Sequence, residues 1–172
     1  LGYSSKKTKI INFLKKQKLK VICTNKPLKE RQNLNIYDLI ISFGYKHIIS
    51  KKILIKYKRP IINLHMSYLP FNRGAHPNFW SFMDNTPSGV SIHEINEKLD
   101  GGNIVLQKLI HFDLNKNKHL TFKNTYEILF FELENLFIQN FKKILLKRYK
   151  SHKQVENGTF HKKNYSNLFQ PA

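Results

Sequence analysis

Tyr37-Asp38-Leu39-Ile40-Ile41-Ser42-Phe43 carries the reading of the fold. Leu39-Ile40-Ile41 is a continuous apolar run, the pattern of a strand covered on both faces, as in a parallel sheet flanked by helices. Pro60-Ile61-Ile62-Asn63-Leu64 reads as another such strand. Upstream, Leu1-Gly2-Tyr3 reads as a strand end and Ser4 or Ser5 as a helix cap. Ile10, Ile11 and Leu14 form the buried stripe of that helix, with Lys6, Lys7, Lys15 and Lys16 in water. Leu19 to Cys23 reads as a strand ended by Asn25-Lys26-Pro27. Downstream, Gly74 to Asn85 reads as a short helix, and Gly89 to Ile95 and Asn103 to Phe112 as strands. Phe122, Tyr126, Leu129, Phe130, Leu133, Leu136, Phe137, Phe141, Ile144 and Leu145 recur at three and four, which predicts a long amphipathic helix. Together these predict an α/β fold with a mainly parallel sheet and a long C-terminal helix. Residues 1–172 read as a single domain, and 151–172 as a polar, basic tail turned at Gly158.

The 172 residues match one domain, which buries roughly two thirds of its surface on folding. A hydrophobic share of 41% excludes collagen-like, mucin-like and wholly disordered chains. One cysteine, Cys23, excludes a disulfide framework and a Cys-based zinc site, and it suits a reducing, cytoplasmic compartment. The longest stretch without acid or base, Pro60 to Asn72, is thirteen residues and contains Asn63 and His65. That is too short and too polar to span a bilayer, so no membrane is expected. Leu1-Gly2-Tyr3-Ser4 lacks the pattern of a signal peptide, and the absent initiator Met leaves upstream residues open. No His-x-x-x-His pair occurs on one helix, so no metal is expected.

Thirty Lys and Arg against 11 acids give a net charge of +19. Residues 1–60 hold 16 bases and 2 acids, 61–110 hold 3 and 4, and 111–172 hold 11 and 5. The middle is neutral and the flanks are basic. Lys, Ile and Asn supply 63 residues, all with codons rich in A and T, so composition accounts for much of the lysine. Charge alone therefore does not make nucleic acid the expected partner.

The chemistry concentrates between Ile61 and Gln107. Asn63 and His65 stand two apart near a strand end and point to the same side. Ligands of open α/β sheets bind beyond the carboxyl ends of strands. Leu99-Asp100-Gly101-Gly102 follows the next strand, and its glycines permit a tight turn and a close approach to a ligand. Folded back over Asn63 and His65, this loop completes a set of amide, imidazole and carboxylate. Such a set can bind an oxyanion, accept a proton and orient the imidazole.

Asn63-Leu64-His65-Met66-Ser67-Tyr68-Leu69-Pro70 resembles the Asn-x-His-x-Ser-x-Leu-Pro signature of the folate-dependent formyltransferases. Gly89-Val90-Ser91-Ile92-His93 with Leu99-Asp100-Gly101-Gly102-Asn103-Ile104 is similar to that family's second signature, which carries its aspartate. The likeness is firm over residues 37–112 and implies a Rossmann-like catalytic domain. It implies formyl transfer from 10-formyltetrahydrofolate, as co-substrate, to a primary amine. Asn63 would donate to the developing oxyanion, His65 would donate or take the amine's proton, and Asp100 would hold the imidazole. Phe43, Gly44, Tyr45, Lys46, His47 and Ile48 would line the pterin pocket.

Asn72-Arg73-Gly74-Ala75-His76-Pro77-Asn78-Phe79-Trp80 and Gly158-Thr159-Phe160-His161-Lys162-Lys163 resemble segments of the enzymes that formylate nucleotide-linked amino sugars. That assigns substrate contact to Arg73, Gly74, His76, Pro77, Asn78 and Lys162, with Lys163 beside it. Length is read the same way, because the methionyl-tRNA enzymes carry a further domain and only about twenty residues follow the long helix here. Only about a dozen residues separate Thr24 from Tyr37, which is short for the family. Methionyl-tRNA and glycinamide ribonucleotide remain alternative acceptors, and a silent basic binding module remains the reading from another class. A homodimer is left open. By itself, His93 reads as a packed core histidine, His47 and His76 as pocket lining or surface, and Phe79 and Trp80 as packing.

Overall fold

The computed structural model describes residues 1–113, 120–155 and 157–162. In chain order the elements are α1 (Ile10–Lys16), β1 (Ile40–Phe43), α2 (Lys51–Lys56), β2 (Ile61–His65), β3 (Arg73–Gly74), α3 (Pro77–Met83), β4 (Gly89–Glu94), β5 (Ile104–Leu109), α4 (Phe122–Leu145) and β6 (Phe160–His161). A four-stranded sheet runs β1-β2-β4-β5, and β3 pairs with β6 apart from it.

Parallel pairing joins β1 to β2 and β3 to β6, and a parallel bridge joins Gly2 to Phe43. β2–β4 and β4–β5 run antiparallel. The segment between β4 and β5 is too short for a crossover helix, so the chain can only turn back. The α/β class and the long terminal helix follow the sequence expectation, with parallel pairing at the β1 end of the main sheet and antiparallel pairing from β4 onward.

Both faces of the sheet are covered, which is why β1 and β2 are apolar except at Ser42, Asn63 and His65. On one face Phe43, Ile62, Leu64, Val90 and Ile92 meet Ile10 and Leu14 of α1 and Leu129, Leu133, Phe137, Phe141 and Ile144 of α4. On the other, Ile40 and Ile61 meet Leu34, Ile49, Ile53 and Tyr57. Phe137 is fully buried, and burying such a side chain contributes about 2–3 kcal/mol.

Four local expectations change. Leu19 to Cys23 is not a strand: Ile22 is exposed, Val21 packs against the core without a ladder, and the neighbouring Thr24 O accepts from Gly2 N–H at 2.9 Å. Ser4 does not cap α1 by its side chain, since its carbonyl accepts from Lys7 and Thr8 N–H in a separate turn. The start of α1 is satisfied from α4, where buried Glu134 Oε1 accepts from Thr8 Oγ1 at 2.6 Å and Lys9 N–H at 2.8 Å. Helix α2 is an addition, short because only Ile53 is buried, and capped by Ser50 Oγ at 3.4 Å. Finally, the tail to Lys162 packs against the domain: His152 exchanges backbone bonds with Ile104 at 2.8 and 3.0 Å, and β6 lies on β3. Gly74, at φ +91°, makes that pairing possible, since a Cβ there would stand 2.3 Å from His161 O. Among the described residues no helix is long and apolar enough to cross a membrane.

Candidate active site

Asn63 and His65 lie on one side of β2, on the face opposite α4, and reach its carboxyl end. The antiparallel register sets His93 of β4 directly across from Asn63. The β4–β5 register slips by one residue between Ile92 and His93, a bulge of the kind that re-aims side chains beside functional sites. The loop after β4 then delivers Asp100. Its backbone is left-handed at φ 49°, so the carboxylate residue itself, not a glycine, takes the special conformation. Gly102 serves a different close approach from the one expected: a Cβ there would stand 1.7 Å from Glu94 O, the strand's own backbone.

Asp100 is the hub. Its Oδ2 accepts from Gly74 N–H at 2.9 Å, and its Oδ1 accepts from Asn63 Nδ2 at 3.2 Å. His93 Nε2 stands 3.5 Å and His65 Nδ1 3.7 Å from Oδ1, and the Asp100 side chain is 9% exposed. Burial pushes its pKa upward, but His65, His93 and the Gly74 N–H outweigh burial and hold it well below the usual carboxylate range. The group is therefore an anion at every physiological pH.

His65 is buried, and burial lowers its pKa against the opposing pull of Asp100. The ring is neutral near pH 7. Its Nε2 faces Asn72 O at 3.4 Å, so the proton belongs on Nε2 and the lone pair on Nδ1, toward Asp100. His93 Nδ1 faces Glu94 O at 2.8 Å, which puts that ring's proton on Nδ1 and leaves Nε2 to accept from Asn63 Nδ2 at 3.0 Å. Asn63 thus spends both amide hydrogens, on His93 and on Asp100. It has no spare N–H for an oxyanion in this arrangement. His93, read from sequence as a packed histidine, belongs to the network. Its place in the second signature, just before the Asp100 loop, was the signal available.

Arg73 and Gly74 adjoin this hub. Gly74 N–H is bonded to Asp100, and Arg73 Nε donates to Gln154 Oε1 at 3.1 Å. Gln154, which no motif marked, also donates to Asp100 O at 2.7 Å and Gly102 O at 2.8 Å. His76 precedes α3 at φ 53°, and Pro77 opens that helix. With Met66, Asn78, Phe79, Phe122, Lys123 and Tyr126 they line a cavity of about 390 Å³. The Asn78 amide is turned to structural work, donating to Phe122 O and Thr125 Oγ1, both at 3.0 Å, and so tying α3 to α4. Lys162 is exposed beyond His161, while Lys163 lies outside the described residues. His161 stacks on Trp80 with ring centroids 4.0 Å apart and bonds Asp84 at 2.7 Å.

Residues 43–48 continue from β1, beside the end of β2 that holds His65. Phe43 is buried against Tyr3 and Phe130, and Gly44 sits on the Tyr3 ring. Tyr45 Oη donates to Lys26 O at 2.9 Å and accepts from Leu28 N–H at 3.0 Å, and His47 Nε2 lies 3.0 Å from Asn25 O. Lys46 is exposed and Ile48 is 90% exposed. Anchored side chains under an exposed apolar edge suit a flat heteroaromatic ring. Among the described residues no group of three or more His, Cys, Asp or Glu is placed to hold a metal ion.

A family model described as formyl transferase matches residues 6–126. A crystal structure of the formyltransferase PseJ from Anoxybacillus kamchatkensis, in complex with UDP-4,6-dideoxy-4-formamido-L-AltNAc and tetrahydrofolate, superposes with a TM-score of 0.85 at 37% identity. That match covers 94% of this chain and 82% of PseJ. Methionyl-tRNA formyltransferase of Prochlorococcus marinus (strain MIT 9312) is 36% identical over 115 residues, 62% of this chain and 34% of that protein. The dTDP-4-amino-4,6-dideoxyglucose formyltransferase of Mycobacterium bovis is 36% identical over 72 residues, 42% of this chain and 30% of that protein. The chain thus spans about a third of the length of these curated relatives.

Proposed function

The chain belongs to the formyl transferase family, and on that footing we propose that it transfers a formyl group from 10-formyltetrahydrofolate to the primary amine of a nucleotide-linked amino sugar. The observation that carries this reading is the gathering of Asn63, His65 and Asp100 at one strand end, with Asp100 bonded to Gly74 beside Arg73. The co-substrate supplies an activated formyl carbon. Residues 43–48 are the wall proposed for its ring.

As the amine nitrogen bonds the formyl carbon, neutral His65 takes its proton at Nδ1, and the proton passes on to N10 of the departing tetrahydrofolate as the N10–formyl bond breaks. The imidazolium so formed lies 3.7 Å from the Asp100 carboxylate, which stabilises it without itself becoming protonated. Asn63 holds Asp100 and His93 in register, and frees one N–H for the developing oxyanion only by releasing one of them. Arg73 grips the acceptor's phosphate, for which a guanidinium fork is suited.

Support for the sugar nucleotide comes from the 0.85 TM-score to PseJ, over nearly the whole chain, and from the nucleotide sugar in that complex. A second reading has its own support: a methionyl-tRNA formyltransferase shares 36% identity over 115 residues, so methionyl-tRNA is the rival acceptor. The test incubates the protein with 10-formyltetrahydrofolate and either UDP- and dTDP-linked amino sugars or methionyl-tRNA, and follows tetrahydrofolate release. Turnover with the sugars is expected. Turnover with methionyl-tRNA alone sinks the sugar reading, and turnover with neither sinks both.

A further inference from the structure

We propose that Gln154 is a positioning residue that sets the Asp100 turn and ties it to Arg73, holding proton handling and acceptor binding in one register; this rests on the formyltransferase reading above. Three hydrogen bonds carry the inference. Gln154 Nε2 donates one hydrogen to Asp100 O at 2.7 Å and the other to Gly102 O at 2.8 Å, so one amide spans the turn. Its Oε1 accepts from Arg73 Nε at 3.1 Å. One polar atom of the amide therefore holds the turn and the other holds Arg73. No other side chain of this length fits all three partners: glutamate lacks the donors, lysine and arginine lack the acceptor, and leucine lacks both.

The turn needs such a brace. Asp100 is left-handed at φ 49°, a conformation disfavoured for any residue with a Cβ. Its carboxylate is aimed correctly only while that backbone is held. The brace comes from a distant part of the chain, fixed on either side by the His152–Ile104 backbone pair and by Thr159, whose Oγ1 accepts from Asn72 N–H at 2.7 Å. At the other end, Gln154 occupies Arg73 Nε and leaves the two Nη groups without a partner among the described residues. Those are the donors that would meet an acceptor phosphate.

The test uses Gln154→Leu, which keeps the volume and removes all three bonds, and Gln154→Glu, which keeps an acceptor for Arg73 and removes both donors. His161→Ala is the control, since it removes the stack on Trp80 and the bond to Asp84 that dock the same segment and none of the Gln154 hydrogen bonds. Gln154→Leu should lower kcat roughly ten- to hundredfold, the scale of a small misplacement of a reacting group. It should raise the acceptor KM about fivefold, the scale of one ordinary hydrogen bond, since Arg73 keeps its charge and loses only its orienting partner, and leave the folate KM unchanged. Gln154→Glu should lower kcat alike, and His161→Ala should do neither. The Asp100 carboxyl, followed by carbon NMR, should titrate higher in Gln154→Leu, toward the ordinary value of about 4. Wild-type kcat with an unmoved Asp100 titration in Gln154→Leu overturns the proposal. So does an equal loss in His161→Ala, which would make docking of the segment the cause. If Gln154→Leu does not fold, the shorter Gln154→Asn is read by the same measurements. If the wild-type protein formylates no acceptor, the functional reading falls, and the Asp100 titration still decides the role of Gln154.

Discussion

Asp100→Asn keeps the shape of the side chain and removes one charge from the hub. At 3.7 Å, with an effective dielectric of about 20, the carboxylate attracts an imidazolium at His65 by about 4 kcal/mol. The two side chains are 10% and 9% exposed, so solvent screens little of this. That attraction exists only once His65 has taken its proton, so its loss falls on the transition state. At about 1.4 kcal/mol per factor of ten, kcat should drop about a thousandfold, with both KM values little changed. The acid limb of the kcat/KM profile should also move. In the wild type it lies below the ordinary imidazole value of about 6.5, because burial disfavours the charged ring. Without the Asp100 anion it should move lower still.

Stability should respond with a definite sign. The folded-state pKa of Asp100 is depressed, so its contribution is fully present above the unfolded value of about 3.9 and lost as pH falls through the lower folded value. Both carboxylate oxygens face N–H donors, from Asn63 and Gly74, so an asparagine NH₂ meets a donor in either orientation. The variant should lose about 1–3 kcal/mol at pH 7 in urea titrations, and the gap to wild type should narrow below about pH 4. Stopped-flow and steady-state assays of a variant with native circular dichroism decide the matter. A kcat within about threefold of wild type, well short of the thousandfold worked out above, would falsify the role given to Asp100.

Arg73→Ala should raise the KM for the nucleotide sugar roughly ten- to hundredfold and change kcat little, as expected for lost uniform binding through a charge-assisted hydrogen bond. Removing the charges of Lys6, Lys7, Lys15 and Lys16 together should move neither constant beyond the effect of salt; the reverse pattern would point to a polyanionic partner. Gly102→Ala should cost about 2 kcal/mol, read as a Tm drop of about 4–8 °C, because its Cβ collides with Glu94 O; an unchanged Tm would show that the loop closes differently. Glu134→Ala should cost about 3 kcal/mol in urea, since Thr8 Oγ1 and Lys9 N–H lose their acceptor; a loss under about 0.5 would mean water replaces it. A folate analogue should slow amide exchange across residues 44–48, and protection confined to other segments would move the pocket.

The elements that bury apolar side chains were legible in the amino-acid order alone. Leu39-Ile40-Ile41, Ile61-Ile62 and the recurrent Leu129, Leu133, Phe137, Phe141 and Ile144 can be satisfied only by a covered sheet and a packed helix. Period-two spacing also fixed Asn63 and His65 on one side, and the signatures around them brought Asp100 into the same set. Local patterns do not encode which strands become neighbours. The antiparallel register that sets His93 across from Asn63 pairs β2 with β4 across the intervening β3 and α3, and the bulge beside it lies between β4 and β5; neither appears as a hydrophobic period. Leu19 to Cys23 shows the opposite failure: its composition suits a strand, but the sheet forms no ladder with it. Glu134 at the start of α1 and Gln154 across the Asp100 turn act through partners 125 and 54 residues away. A hydrogen bond depends on donor and acceptor meeting within about 3 Å, and only the closed tertiary structure decides which distant polar groups meet.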